Sequence, residues 1–313
     1  MWWEHNGQYN LGRNFDLLKQ GFLEITYKIT QGNNQGDQQT IAIELIEKLR
    51  QFSAYMHNSI QVVPDADYRK TYGNKAVEEK SFVNIGGGPN WHHPCWQNLD
   101  LMLSERDATP WDLFDHAPLP FADNQIEVAY TSHTIEHLDD ETVQNLFDEV
   151  QRVLKPGGIF RIACPDAASH YRAYKSNEPG YFKFIIPHAS PDASLEQLFL
   201  LEFAAHASSL NETNQVKKLS DKEIREIFES APMEEALEQC SSLCTVEVQK
   251  AQNGGPHMNW FTESKVQSML TKAGFEETTP SAYGKSSAYV MRDITFFDYT
   301  APGTSLFVEA TKT

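Results

Sequence analysis

Three consecutive glycines and a single acid are the first residues in this chain whose spacing suggests chemistry. Gly86, Gly87 and Gly88 follow a short apolar run, and Asp100 ends the next apolar run. Glycine lets the backbone approach a ligand closely because it has no Cβ, and a carboxylate accepts hydrogen bonds from both hydroxyls of a ribose. A strand, a glycine turn and an acid after the next strand are typical of the nucleoside-binding edge of an open α/β sheet.

Two histidines are candidates for proton transfer. Ser132 and His133 come just after an apolar run at 126–130, and His137 follows shortly after them. Histidine titrates near neutrality, so either ring can act as a general base toward an N–H or O–H group. His133 can equally well only shape a pocket, and His137 can only pack or cap a helix. Both interpretations stay open on the sequence.

The cysteines raise the question of metal binding. They are Cys95, Cys164, Cys240 and Cys244. Cys240 and Cys244 are spaced to share one helix face, but a zinc site needs two more ligands and none stands nearby at zinc-like spacing. The run HHPC at 92–95 is more metal-like, although packed loops also contain such residues. We therefore predict free thiols and no metal site.

Charge and composition narrow the choice of partners. The chain has 313 residues, of which 40% are hydrophobic, and its net charge is −17. Such a surface repels phosphate backbones and anionic lipids, so we predict a small-molecule substrate, no nucleic acid and no membrane. The first residues lack the basic start and apolar stretch of a secretory signal, which favours a cytoplasmic location.

Strands and helices alternate from position 81 onward, which predicts a parallel sheet. The predicted strands are 82–85, about 97–101, 126–130, 159–164, near 277–283, and 305–310. The predicted helices are 141–154 and 262–273, the second capped by Thr262 and ended by Gly274. Only about ten residues separate the first two strands, which is short for a parallel crossover. We expect a vestigial helix there, about one turn at 90–96.

Four segments follow from this pattern. Residues 1–80, with amphipathic helices at 14–30 and 40–56, form a helical extension that either packs on the sheet or covers the substrate. Residues 81–166 and 257–313 form the two parts of the α/β core. Residues 167–256 form a mainly helical insertion, which serves either as a substrate lid or as a homodimer contact; both alternatives stay open.

Several segments together resemble one family. They are VNIGGGP, QNLDL, WDLFDHAPLPFADNQIEVAYTSHTIEHL, LFDEVQRVLKPGGIFRIACPD, HMNWFTESKVQSMLTKAGF and SLFVEATK. In this order they resemble class I S-adenosylmethionine-dependent methyltransferases, most closely the type 11 kind, over about 81–166 and 257–311. The resemblance implies a Rossmann-like α/β sheet of seven strands with the last strand antiparallel, and S-adenosylmethionine as cofactor.

The resemblance also implies roles for particular residues. The implied cofactor contacts are Gly86, Gly87 and Gly88 at the methionine part, Asp100 with Leu101 at the ribose, Asp112 with Leu113 at the adenine, and Ser132 with His133 at the sulfonium. Asp115 competes with Asp112 for its role. The implied substrate contacts are Tyr171, Arg172, Tyr174, His257 and Trp260. Two departures, Asn84 for the usual acid and Asn90 for the usual third glycine, bear on cofactor affinity and not on the fold.

These inferences converge on an enzyme that methylates N, O or S of a small metabolite, amino-acid-like or osmolyte-like, by SN2 attack on the sulfonium methyl. His133 and His137 are its catalytic candidates. One alternative is a non-catalytic cofactor-binding protein on the same fold. Another is a nicotinamide-dependent oxidoreductase, which the chain fits poorly because it lacks a full GxGxxG that opens a helix.

Overall fold

The computed structural model describes residues 65–89, 91–101 and 108–313. The strands are β1 (Phe82–Ile85), β2 (Gln97–Asp100), β3 (Ala108–Pro110), β4 (Ile126–Ser132), β5 (Leu154–Pro165), β6 (Glu277–Ser281) and β7 (Ser305–Thr311). They form one sheet in the order β3-β2-β1-β4-β5-β7-β6. The helices predicted at 14–30 and 40–56 lie outside the described residues.

Nine helices and four short 3-10 turns accompany the sheet in the described part of the chain. The helices are α1 (Asp65–Glu78), α2 (Asp140–Val153), α3 (Ala167–Lys175), α4 (Pro179–Ile185), α5 (Leu195–Leu201), α6 (Asp221–Ser230), α7 (Met233–Ser241), α8 (Val246–Ala251) and α9 (Glu263–Lys272). The 3-10 turns are Leu113–Asp115, Ile135–His137, Ala205–Ala207 and Tyr289–Arg292. None of the helices in these described ranges combines the length and apolarity that crossing a bilayer requires.

The direction of the strands agrees with the prediction. β3, β2, β1, β4 and β5 run parallel, whereas β7 pairs antiparallel with both β5 and β6. The Rossmann-like sheet with an antiparallel last strand is therefore confirmed. β5 is longer than predicted, because Leu154 already pairs with Ile126 before the turn at 155–158 and Ile159 resumes the pairing at Val128.

The central strands are buried on both faces because helices and loops cover each side. On one face, Val83 and Ile85 of β1 join a cluster that includes the inner sides of α2 and α9. On the other face, Phe82 packs with Tyr68 of α1 and with Trp96. This alternation follows from the two-residue period of a strand.

Capping residues define the two helices that pack on the first face. Asp139 accepts a hydrogen bond from Thr142 N at the start of α2. Thr262 accepts one from Lys265 N at the start of α9, as its spacing predicts. Gly274 follows the end of α9 with φ +96°, a conformation that favours glycine. Both predicted helices are present, and their bounds differ from the prediction by one residue at each end.

The connection from β1 to β2 is held by turns. Trp91 N donates to Gly88 O and Trp96 N to His93 O, and the described residues of this connection form no helix. The expected helical turn is therefore absent from that described part. The Trp96 indole instead donates to the Tyr68 hydroxyl at 2.7 Å, so the short connection is fixed by aromatic packing against α1.

The helices between β5 and α9 have a hydrophobic core of their own. Phe182, Phe199, Phe203, Phe228 and Leu237 are almost completely buried there. Cys240 and Cys244 lie in this core as free thiols, and burial raises the pKa of Cys244 to about 11 and that of Cys240 to about 12. The helices within 167–256 pack around this core, while their status as an insertion and their role as lid or homodimer contact stay predictions.

Candidate functional site

A pocket of about 270 Å³ opens at the carboxyl ends of β1, β2 and β4, the position where open α/β sheets bind ligands. Its lining includes eight of the residues singled out from the sequence: Gly86, Gly88, Asp100, Leu101, Asp112, Leu113, His133 and His137. Gly87 and Ser132 do not line it. The volume is near the lower end of the roughly 300–1,000 Å³ usual for ligand sites.

The glycine turn has this shape because the segment after β4 approaches it closely. Gly86 has φ +74°, and a Cβ there would stand 2.2 Å from Oγ1 of Thr134. A Cβ on Gly87 would stand 2.2 Å from the Asn84 amide nitrogen, so this glycine packs inward. Gly88 has φ +78°, but a Cβ there would have no neighbouring atom within 4 Å. Its backbone therefore borders open space on the pocket side.

This difference predicts that Gly86→Ala destabilises the protein more than Gly88→Ala. For Gly86→Ala we expect a loss of about 2–4 kcal/mol in the free energy of unfolding, from the left-handed backbone and the clash with Thr134. For Gly88→Ala only the backbone term of about 1–2 kcal/mol applies. Urea unfolding of both variants measures the difference, and equal losses would contradict the close approach of Thr134.

Asp100 fixes the turn from the neighbouring strand. It ends β2 and is 9% exposed, and its Oδ2 accepts a hydrogen bond from Gly88 N at 2.8 Å. The second acid, Asp112, caps the following 3-10 turn by accepting from Phe114 N at 2.9 Å. Asp115 is exposed and does not line the pocket. The pocket therefore contains Asp100 and Asp112 but not the competing Asp115.

Sequence reasoning missed part of the pocket wall. Trp111 and Phe114 flank Asp112 after β3, and Asn253, Gly254 and Gly255 close the wall from the segment that follows α8. The aromatic residue directly after an edge strand was a usable signal for Trp111. Nothing local placed the loop at 253–255 beside β2, because that proximity depends on how the helical region folds back.

His133 is held in an unusual conformation at the end of β4. Its φ is +52°, a left-handed value that non-glycine residues seldom adopt. Its Nε2 lies 2.8 Å from Oγ of Ser305, and its Nδ1 lies 3.2 Å from Oε1 of Glu136. Both ring nitrogens therefore have protein partners, and the ring is fixed at the rim of the pocket.

His137 differs in one respect that matters chemically. Its Nδ1 lies 3.0 Å from the Pro256 carbonyl oxygen, and within the described ranges its Nε2 makes no hydrogen bond. A carbonyl oxygen only accepts, so Nδ1 carries a proton, and Nε2 is the nitrogen left to accept a proton or to bind an ion. Of the two predicted catalytic residues, His137 is the one with an unengaged nitrogen.

Glu136 and His257 complete a cluster around these histidines. The Glu136 side chain is 1% exposed, and the His257 Nε2 lies 4.0 Å from its Oε1. Burial raises the pKa of Glu136, but the neighbouring histidines more than offset it and lower the value to about 2. Burial lowers the pKa of His257 to about 4, so its ring is neutral near pH 7. Sequence reasoning gave Glu136 no role, since the burial of an acid is not visible in the sequence.

The other predicted substrate residues lie away from the pocket. Tyr174 stacks on Phe199 inside the helical core, and Tyr171 packs against Phe228. The Arg172 side chain is 69% exposed and lies 3.7 Å from Asp166. The buried Trp260 indole donates to Glu238, with the Lys265 ammonium 4.1 Å from its ring centroid. Of the five, only His257 joins the cluster beside the pocket, and their contacts with substrate stay predictions.

Comparison with known proteins gives a family match. A family profile described as a methyltransferase domain matches residues 101–162. No curated protein matches the sequence.

Three solved structures with similar folds are distant from this chain in sequence. One is a methyltransferase from Thermotoga maritima, described as a possible histamine N-methyltransferase, at 14% identity and a TM-score of 0.36, covering 79% of this chain and 94% of that one. A second is an S-adenosylmethionine-dependent methyltransferase from Mesorhizobium loti, at 16% identity and a TM-score of 0.33, covering 74% of this chain and 90% of that one. A third, from Archaeoglobus fulgidus, has 12% identity and a TM-score of 0.36 and covers 79% of this chain and 98% of that one. These TM-scores are low, so nothing further is drawn from the three likenesses.

A glycine turn and an acid at the carboxyl ends of adjacent parallel strands define a nucleoside-binding protein of the Rossmann type. The strand order and the antiparallel β7 are those of the class I S-adenosylmethionine-dependent methyltransferase fold, and residues 101–162 match a methyltransferase domain. It is an enzyme, and its cofactor is S-adenosylmethionine.

The residues present fit this cofactor. The Gly88 backbone borders open space, the Asp100 carboxylate stands beside it, and Trp111 and Phe114 give the pocket an apolar wall. Backbone, acid and apolar wall match the chemistry of an amino acid tail, a ribose and an adenine, respectively.

Proposed function

We propose that the protein methylates a small-molecule acceptor that enters the pocket on the side of His133 and His137. The observation that carries this proposal is a cavity lined both by Asp100 and by His137. A nucleoside held at Asp100 and an acceptor beside His137 would then lie in the same pocket. The net charge of −17 favours a neutral, zwitterionic or cationic acceptor over a nucleic acid.

The bound cofactor supplies an electrophilic methyl group on a sulfonium, so the protein has to position the acceptor and deal with its proton. His137 suits the second task because its Nε2 lone pair has no hydrogen-bonded partner among the described side chains. That lone pair activates the acceptor, either by taking a proton or by holding a cation that acidifies it. His133, tied to Ser305 and Glu136, shapes the rim.

The test is a screen for transfer of radiolabelled methyl from S-adenosylmethionine to amine, hydroxyl and thiol metabolites, followed by kinetics on any acceptor found. We expect His137→Gln to lower kcat by about 100-fold or more while the Kd for S-adenosylhomocysteine stays unchanged. His188→Gln, at an exposed position in the helical region, is the matched control and should retain full activity. A His137→Gln variant with wild-type kcat would contradict the activating role, and label found only on protein or RNA would contradict the small-molecule acceptor.

A further inference from the structure

The Glu136 carboxylate is buried without the hydrogen bonds that such a group needs. It is 1% exposed, and among the described residues neither of its carboxylate oxygens accepts a hydrogen bond. Its nearest partner is the His133 Nδ1, 3.2 Å from Oε1, which stabilises the charged carboxylate but leaves the second oxygen without a partner among the described residues. A buried carboxylate is stable only with charge or hydrogen-bond compensation close by. The space beside Glu136 therefore favours a cation.

Two imidazole rings share that space. One ligand atom each from Glu136, His137 and His257 lies within 4.8 Å of the other two. The rings of His137 and His257 meet edge to face, with centroids 4.8 Å apart. Nε2 of His257 and Oε1 of Glu136, 4.0 Å apart, are both acceptors when that ring is neutral.

The outer contacts of both rings fix which nitrogen is available. The His137 Nδ1 lies 3.0 Å from Pro256 O, and the His257 Nδ1 lies 3.0 Å from Glu202 O. Since a carbonyl accepts and never donates, each Nδ1 carries a proton, and Nε2 is the nitrogen left to bind an ion. A backbone carbonyl on the outer nitrogen is the arrangement that orients metal-binding histidines. His133 contacts the same carboxylate and would hold its orientation.

We propose that Glu136, His137 and His257 bind one divalent transition-metal ion such as Zn²⁺. Two imidazoles and one carboxylate suit such ions, whereas Mg²⁺ and Ca²⁺ prefer all-oxygen sites. Ligand atoms about 2.1 Å from a common tetrahedral ion are about 3.4 Å apart. The 4.0 Å between His257 Nε2 and Glu136 Oε1 needs a closure of about half an ångström to reach that spacing, and a pair at the 4.8 Å limit of the set needs about 1.4 Å.

A catalytic role for this metal site rests on the proposed function, because it requires that an acceptor be methylated in this pocket. His137 lines the cofactor pocket, so an ion held by the three side chains would border the pocket through this residue. A hydroxyl bound to the ion is acidified and loses its proton to water. The oxygen lone pair then forms the new C–O bond to the methyl carbon, and the C–S bond pair leaves with sulfur as a neutral thioether. The acceptor class is thereby narrowed to a hydroxyl or a thiol, the groups that such an ion acidifies.

The experiment measures metal binding separately from methyl transfer. The full chain is stripped with a chelator and titrated with Co²⁺, followed by its visible absorption, and then with Zn²⁺ in competition. We expect one ion per chain. Glu136→Gln and His257→Gln should each weaken binding about 100-fold, and His188→Gln should bind as the wild type does.

Binding of S-adenosylhomocysteine by each variant shows whether the variant is folded and whether its cofactor site is intact. Wild-type protein that binds S-adenosylhomocysteine but no Co²⁺, or Co²⁺ binding that both substitutions leave intact, overturns the metal site and leaves the proposed function standing. Failure to bind S-adenosylhomocysteine overturns the proposed function alone. Should a variant not fold, anomalous diffraction from wild-type crystals soaked in Zn²⁺ decides: a peak among the three side chains supports the site, and a peak elsewhere or none overturns it.

Discussion

Asp100→Ala is expected to weaken binding of S-adenosylmethionine and S-adenosylhomocysteine by at least about 100-fold. The carboxylate ends β2 inside the pocket and also accepts from Gly88 N. A hydrogen bond to a charged group contributes about 1.5–3 kcal/mol. Two ribose hydroxyls would each lose such a bond, and the summed free energy corresponds to the expected increase in Kd. Calorimetric titration of wild type and variant with both ligands measures it.

Asp115→Ala is the matched control for that measurement. Asp115 is also acidic and nearby in sequence, but its side chain is 66% exposed and outside the pocket lining. We expect its Kd values to stay within about twofold of wild type, since an exposed pair such as Asp115 with Lys250 contributes little. A larger loss for Asp115→Ala than for Asp100→Ala would reverse the assignment of the acidic contact.

Arg161→Met is expected to cause the largest loss of folding stability, about 3–5 kcal/mol in the free energy of unfolding. Arg161 lies at the centre of β5 with no exposed surface. Its guanidinium binds Asp298 through two nitrogens, at 2.9 and 2.6 Å, and Glu309 at 2.8 Å. Removing the cation leaves two buried carboxylates without their counter-charge. Urea denaturation followed by circular dichroism gives the value.

Two further variants show whether the charge is the cause. Arg225→Met removes an arginine paired with Glu196 at 2.6 Å, but its side chain is 51% exposed and screened by solvent, so little or no loss of stability is expected. Adding Glu309→Gln to Arg161→Met should recover part of the lost stability, because one unpaired buried charge disappears. Wild-type stability in Arg161→Met would contradict the structural importance of this ion network.

Much of the fold can be predicted from local pattern. The apolar run before the glycines predicts β1 at its observed bounds, and the capping of α9 by Thr262 follows from the preference of that residue for helix starts. β3, by contrast, has three residues, two of them exposed, and carries no hydrophobic periodicity to detect. The late start predicted for β5 has a similar cause, since the turn at 155–158 lies inside a pairing that only the sheet reveals.

One part of the candidate site can also be predicted from local sequence, and the other part only from the folded chain. The nucleoside edge follows from the sequence alone, because the glycine turn and Asp100 belong to adjacent strands whose carboxyl ends must meet. The meeting of Glu136 and His137 with His257 required the folded chain, since that contact joins segments far apart in sequence. Folding also fixes which nitrogen of each ring is free, because the outer partners are backbone carbonyls of Pro256 and Glu202. The sequence determines which residue types are present. The burial of Glu136, the tautomers of the histidine rings and the distances between these side chains depend on how the folded chain packs.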